Sequence, residues 1–425
     1  MHILLFIGYS LLFIGYSFLC GYWILKIPFV RNSGIPPRVL LLFFALHVLT
    51  GCIHNIIAWR FYPGHGDIWT DFRFAFMYRD RLTSNLSLFL ADNSTWTFFS
   101  HNATIFIQLI LNLFSFDNLY INTLLFSFPI FLGNVALYRL FRRRFPADPL
   151  TAATIFLLPS TLFWTSCIHR EGVLYMSLGF LFYLLDRIFA PAAGGPPLRR
   201  RSLYTCCCFL LIIYFRTIVA ALLVPAILAW WLTEKPLPRR QALLLAGACV
   251  GILAILLSVP PLSAWLINLL NHYQIEFLQL EGHSRLYLPA LDGSWSNVWR
   301  ILPAAVLNGL FEPLPGSGGQ RIYLAFSVEL LLIWTVVLAA IPVLLGHRAS
   351  SPAFSRCCLL FSLSGMLLIG AIVPFAGAIV RYRSLYLPFL LAPFLHALAC
   401  WPPIRRLNER LAAWLPDPHP YHGNG

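Results

Sequence analysis

Two acids four residues apart, Asp67 and Asp71, stand in the stretch GHGDIWTDF that follows a long apolar run. Four residues is about one helical turn, so a helix here would carry both carboxylates on one face. A carboxylate close to a membrane surface and partly desolvated can act as a general base or hold a divalent cation; the plainer alternative is a pair of solvated loop acids. Further along, His101-Asn102 opens another apolar run. Asn102 fits a helix N-cap, and His101 is placed to touch a substrate. His169-Arg170-Glu171 lies on a short turn between two apolar runs. An arginine there suits a phosphate, and equally suits the anchoring of a helix end. Arg216 interrupts a long apolar stretch, where a cation is expensive and usually has a partner. Arg381-Tyr382-Arg383 precedes another run and can be an anion clamp or an interfacial anchor. Glu329, inside a run, reads most simply as half of a buried pair with an arginine.

These groups are set in a chain that water alone cannot surround. Of 425 residues, 59% are hydrophobic and 11% charged, against about 25% charged in a soluble domain; the mean hydropathy is +0.74. The solvent is therefore mostly lipid. A net charge of +14 could suggest nucleic acid, but the basic residues fall in short clusters between apolar runs. That is the pattern of topology signals, so no nucleic-acid partner is expected. The ten cysteines lie almost all within apolar runs and show no CxxC or Cys/His ligand spacing. Neither a disulfide framework nor zinc is implied.

The apolar runs predict an all-α polytopic membrane protein with about 11 transmembrane helices. Residues 1–38 hold a first span, with the tandem heptad LLFIGYS at 4–10 and 11–17, and a basic turn at Lys26, Arg31 and Arg38. Residues 39–400 form the main membrane domain, and 401–425 a basic, Pro-rich cytoplasmic tail. Spans are expected at 39–57, 120–140, 149–166, 173–188, as a hairpin within 203–233 with Arg216 at its bend, and at 242–258, 323–345, 357–377 and 384–400. Two large segments, 59–119 and 259–322, are read as external loops. Within the first, 103–116 has about 14 residues where about 20 are needed to cross, and is read as a helix lying at the interface. Arg139 and Arg142–Arg144 then mark the cytoplasmic end of 120–140. The N-terminus comes out external and the C-terminus cytoplasmic. Ten of the 16 acids (Asp67, Asp71, Asp80, Asp92, Asp117, Glu171, Glu276, Glu281, Asp292 and Glu312) fall on the external side.

With these residues in view, the chain resembles the GT-C superfamily of integral-membrane glycosyltransferases. It looks most like the bacterial relatives of dolichyl-phosphate-mannose–protein mannosyltransferases and of the lipid A aminoarabinose transferases. Gly66-Asp67 matches the acidic motif that opens the first outer loop of that family. The layout of residues 100–145, a His-led juxtamembrane helix followed by a span ending in basic residues, matches the next elements. Pro159-Ser160 with Trp164, and Arg381-Tyr382 with Pro388, match two later motifs. The chain departs from the pattern in three places. The family's Asp-Glu pair is Asp67-Ile68, with the second acid at Asp71; its His-Pro-Pro start is His101-Asn102-Ala103; and an extra span precedes the first family helix.

The resemblance implies an enzyme that moves a sugar from a polyprenyl-phosphate carrier to a lipid-linked or protein acceptor. The active site would face the exterior, the periplasm if the protein lies in a bacterial inner membrane. Asp67, supported by Asp71, would orient or deprotonate the acceptor. The substrate-binding set would be His101, His169, Arg170, Glu171, Arg216, Arg381 and Arg383, its cations meeting the phosphate. A divalent cation would be the one cofactor to consider. A polysaccharide polymerase of the O-antigen type shares this layout and remains an alternative, as does a transporter or flippase, which would place its polar groups at mid-membrane.

Overall fold

Backbone groups taken out of water must bond to one another, and within a single apolar run only a helix allows that. Every regular element of this protein among the described residues is helical. The computed structural model describes residues 2–62, 66–145, 148–190, 197–234, 259–282, 284–292, 294–316, 322–346 and 352–412. The span expected at 242–258 and the Pro-rich tail lie outside them. In chain order the helices are α1 (His2–Lys26), α2 (Pro28–Arg31), α3 (Pro37–Phe61), α4 (Gly66–Ser84), α5 (Leu86–Ala91), α6 (Asn93–His101), α7 (Ala103–Ser115), α8 (Leu119–Arg144), α9 (Asp148–Phe156), α10 (Pro159–Thr165), α11 (Arg170–Phe189) and α12 (Leu198–Glu234). Then follow α13 (Pro260–Leu278), α14 (Trp295–Val306), a π-helical turn (Leu307–Phe311), α15 (Ile322–Gly346), α16 (Pro352–Ile372), α17 (Ala376–Arg383), α18 (Leu387–Ala399) and α19 (Pro402–Ala412). Among the described residues seven helices are long and apolar enough to cross a membrane, or up to nine if two bent pairs, α6 with α7 and α18 with α19, each make one span.

Two expectations need correcting. The run at 149–166 is not one helix but α9 and α10, broken at Leu158-Pro159. Proline lacks the N–H that a helix interior needs and pushes the preceding residue to extended values, and Leu158 has ψ 116°. The two large loops are themselves mostly helical, as α4–α7 and as α13, α14 and the π-turn. The run at 203–233 lies in α12, where two helical stretches meet at a break at Arg216, the residue expected at the bend, with φ −157° and ψ 91°.

The chain divides into two compact units, the first made of Met1–Arg143, Ile155–Arg216 and Leu407–Gly425, the second of Arg144–Thr154 and Thr217–Arg406. In the first unit α8 is the central element, buried along most of its length. It crosses α11 at two glycines: a Cβ on Gly179 would run into the carbonyl oxygen of Gly133, and one on Gly133 would lie 2.5 Å from the Cα of Met176. Such bare crossings let two helix backbones touch where lipid gives no hydrophobic drive to association.

At the basic end of α8, Arg139 donates to the carbonyl of Phe29 at 2.7 Å and Arg142 to that of Ser33 at 3.0 Å. Arg143 pairs with Asp186 at 2.7 Å. At its other end α8 meets the α4–α7 layer, whose core is Ala75, Phe89, Phe99, Ile105 and Leu109. The repeated heptad of α1 places Tyr9 and Tyr16 about two turns apart on one face. Tyr16 donates to the carbonyl of Phe114 at 3.0 Å and Tyr9 to that of Phe116 at 2.9 Å. These are end-of-helix carbonyls of α7 with no partner inside the helix.

In the second unit, the buried amide of Gln274 donates to the carbonyls of Pro289 and Ala371 and accepts from the N–H of Leu291. This ties α13, the stretch after it and α16 together. Arg383 is 2% exposed and donates to the carbonyls of Glu312, at 2.5 Å, and Gly309.

Replacing Gly179 with leucine should cost roughly 1–3 kcal/mol or abolish folding, since the α8–α11 crossing has no room to give. A fall in the thermal midpoint of the detergent-solubilised protein, larger than for leucine at the uncrowded Gly15, is the expected result.

Candidate functional site

Asp67 and Asp71 do share a helix. Gly66, with φ 70° in the left-handed region that glycine adopts without cost, starts α4 and sets Asp67 in its first turn. Asp67 is exposed; Asp71 is half-buried and accepts a 2.7 Å hydrogen bond from the hydroxyl of Thr104 on α7. That bond belongs to a series. Thr104, Gln108, Asn112 and Ser115 are all buried along one face of α7, while Ile110, Leu113 and Phe114 on other faces are exposed. Gln108 donates to the carbonyl of Ile68 at 3.4 Å, and Asn112 accepts from Asn122 on α8 at 2.6 Å. So α7 is polar towards the protein and apolar outwards. It is bent 111° from α6.

Asn102 stands at the cap position of α7 but does not cap it; its amide donates instead to the carbonyl of Phe98 at 3.0 Å. His101 is the last residue of α6, and its side chain lies outside the described set. At the acidic edge of the layer, Asp117 forms an ion pair with Arg79. Burial pushes the Asp117 carboxyl up, and Arg79 offsets this only in part. With Phe72, Arg73, Phe76 and Met77, Asp117 lines a cavity of about 440 Å3.

The turn at 166–171 does not hold its side chains out at a surface. His169 is 5% exposed and Glu171 0%. Arg170, at the start of α11, is half-buried. Glu171 accepts a 2.9 Å bond from Arg216, itself 20% exposed. A partner of the kind that a cation in an apolar run requires is this carboxylate. The same turn brings the donor atoms of Cys167 and His169 to within 4.8 Å of each other and of His54 on α3, all three side chains buried. No local spacing in the sequence announces that cluster.

A second cavity, of about 580 Å3, lies under α6 and α7 against α8, α11 and α12. Its walls include Phe106, Phe126, Met176 and Leu211, with Trp96 and Tyr214 at an exposed rim. The hydroxyl of Tyr214 donates to the carbonyl of Ser100 at 3.2 Å. The wall residues Val173 and Phe215 stand next to the ion pair in sequence, two positions after Glu171 and one before Arg216. None of Asp67, Asp71, Arg170 or Arg216 lines this cavity.

Arg381 and Arg383 belong to the second unit. Arg381 is half-buried with its guanidinium 5.9 Å from the ring centre of Tyr382. Arg383 is 2% exposed and turns its Nη1 inward onto backbone carbonyls, so its guanidinium is not held out at an external surface.

Fold and site together define a helical, membrane-embedded protein with a buried ion pair beside an apolar cavity. No protein-family model, curated protein or solved structure matches the chain.

Breaking the Glu171–Arg216 pair by Glu171→Gln or Arg216→Met should each cost about 3–5 kcal/mol, and the double variant less than the sum, because each single change strands a buried partner. Additive losses in a double-mutant cycle would show that the pair is not coupled.

Proposed function

We propose that the protein is a membrane glycosyltransferase of the GT-C kind, taking a sugar from a polyprenyl-phosphate carrier and passing it to a lipid-linked or protein acceptor on the external face. The observation that carries this reading is the apolar cavity of about 580 Å3 beside the break at Arg216. Its volume lies in the range of small-molecule sites, roughly 300–1,000 Å3, and its lining suits an isoprenoid chain. In this reading the phosphate head meets Arg216, one residue from the wall residue Phe215, and Arg170, three residues before Val173. In the reaction, the bond between the sugar C1 and the phosphate oxygen breaks and the acceptor oxygen bonds to C1. Its proton passes towards Asp67, and polyprenyl phosphate leaves, stabilised by the guanidinium groups. Asp71, held by Thr104, fixes the α4 helix that presents Asp67.

In this reading the chain crosses the membrane about 11 times with its N-terminus external. The basic end of α8, bound to the turn after α1, is cytoplasmic, and the acids of the α4–α7 layer are external, periplasmic in a bacterial inner membrane. One observation favours a second reading. A buried ion pair at a helix break and a bent helix pair are also what a transporter builds at its substrate site.

In membranes supplied with a panel of polyprenyl-phosphate sugars, Asp67→Asn should lower sugar transfer by about 100-fold or more while leaving insertion intact; unchanged transfer removes Asp67 from the reaction. Release of carrier-derived sugar to an acceptor separates the enzyme from a transporter, which would move the lipid and leave it uncleaved. A reporter fused after Ser84 should face away from the cytoplasm, and a cytoplasmic signal there would reverse the orientation.

A further inference from the structure

The sequence separates His54 from Cys167 and His169, and the fold brings them together for a local reason. Gly51 lies one turn before His54 on α3, and a Cβ there would stand 2.5 Å from the carbonyl oxygen of Ser166 and 2.7 Å from Thr123. Having no Cβ, Gly51 lets the α3 backbone touch the 166–169 turn. Within that turn the N–H of His169 bonds the carbonyl of Cys167 at 2.8 Å, a tight three-residue turn that folds Cys-x-His back on itself. The rings of His54 and His169 face each other edge to face, with centres 5.3 Å apart. Phe163 and Trp164 pack on His54 at 4.6 and 5.3 Å and shield it. All three ligand-type atoms fall within 4.8 Å of one another, and the side chains are 2%, 0% and 5% exposed.

We propose that His54, Cys167 and His169 form a binding site for a thiophilic transition-metal cation of the Zn2+ class. The donor set decides the class. Two imidazoles and a thiolate suit borderline and soft cations and are poor ligands for Mg2+, Mn2+ or Ca2+, which prefer oxygen. Metal–donor bonds of about 2.0–2.3 Å put tetrahedral ligands roughly 3.4–3.7 Å apart. The three donors, within 4.8 Å of one another, need to close by at most about an ångström. Binding requires the thiolate, so the metal takes the place of the Cys167 proton and releases it. Three protein donors leave a fourth position in a tetrahedral shell. The ion clamps α3 to the turn that ends, two residues later, at Glu171. The proposal does not rest on the sugar-transfer reading, whose chemical step runs through Asp67, Arg170 and Arg216; it gives His169, in the substrate-binding set that the resemblance implies, a metal ligand's role instead.

The test uses the full-length protein purified in detergent without chelator. It should take up about one equivalent of Zn2+, and with Co2+ it should show a thiolate-to-cobalt charge-transfer band in the near ultraviolet. Because Cys206 and Cys207 are exposed and can also bind metal, the comparison with Cys167→Ser decides. The band should disappear in that variant and Zn2+ should bind at least about tenfold more weakly. No band in the unsubstituted protein, or an unchanged band in Cys167→Ser, overturns the site. If Cys167→Ser does not fold, His169→Gln carries the test: the same weakening with the thiolate band retained supports the site, and unchanged affinity refutes it.

Discussion

A carboxylate with no exposed surface, Glu171, exists in this protein because Arg216 stands 2.9 Å away. In a protein interior wrapped in hydrocarbon, a buried ion without a partner costs several kcal/mol, more than most single interactions return. That constraint fixes where the break in α12 and the start of α11 can lie relative to each other. The same rule runs through the rest of the first unit. The polar stripe of α7 is turned inward and answered by α4 and α8. The end carbonyls of α7 are answered by the two tyrosines of the α1 repeat. Polar groups here act as the specific contacts, and bare glycines supply the close ones.

This division of labour explains why the unit can hold an apolar cavity. A void lined by Phe106, Phe126, Met176 and Leu211 forfeits packing contacts along its walls. It persists when the surrounding helices are fixed by other means, as the glycine crossing of α8 and α11 and the hydrogen-bonded stripe of α7 fix them here. A lipid chain entering it would restore those contacts, and the Glu171–Arg216 pair stands within two residues of its wall in sequence, at Val173 and Phe215. Sugar transfer itself is what the resemblance of the sequence motifs implies; the cavity adds an apolar lining that suits the lipid part of a carrier.

Much of this was legible in the sequence, and the rest was hidden for physical reasons. Hydropathy marks where the long helices begin and end, because burial in lipid acts on every residue of a run. The four-residue spacing of Asp67 and Asp71 is enough to put them on one helix face. The need of Arg216 for a partner can be read from its apolar surroundings, but not which acid it takes, because Glu171 meets it only through folding. The stripe Thr104, Gln108, Asn112 and Ser115 is present at helical spacing, yet the isoleucines and leucines between them dominate the average, so the inward polar face of α7 is not visible in its hydropathy. Pro159 signals its break locally. The His54, Cys167 and His169 cluster has no local signal, since it depends on Gly51 admitting one backbone to another. Arg383 looks like its neighbour Arg381 in sequence, and only the carbonyls of Glu312 and Gly309 set it apart.

The central claim is that the cavity beside Arg216 receives the isoprenoid chain of a phosphorylated carrier. A polyprenyl phosphate bearing a photoactivatable group along its chain, cross-linked in membranes and mapped by mass spectrometry, tests it directly. The account predicts adducts concentrated on Phe106, Met176 and Leu211, and their loss when excess unlabelled polyprenyl phosphate is added. Adducts spread over the exposed faces of α1 and α3, with none in the cavity, would contradict it.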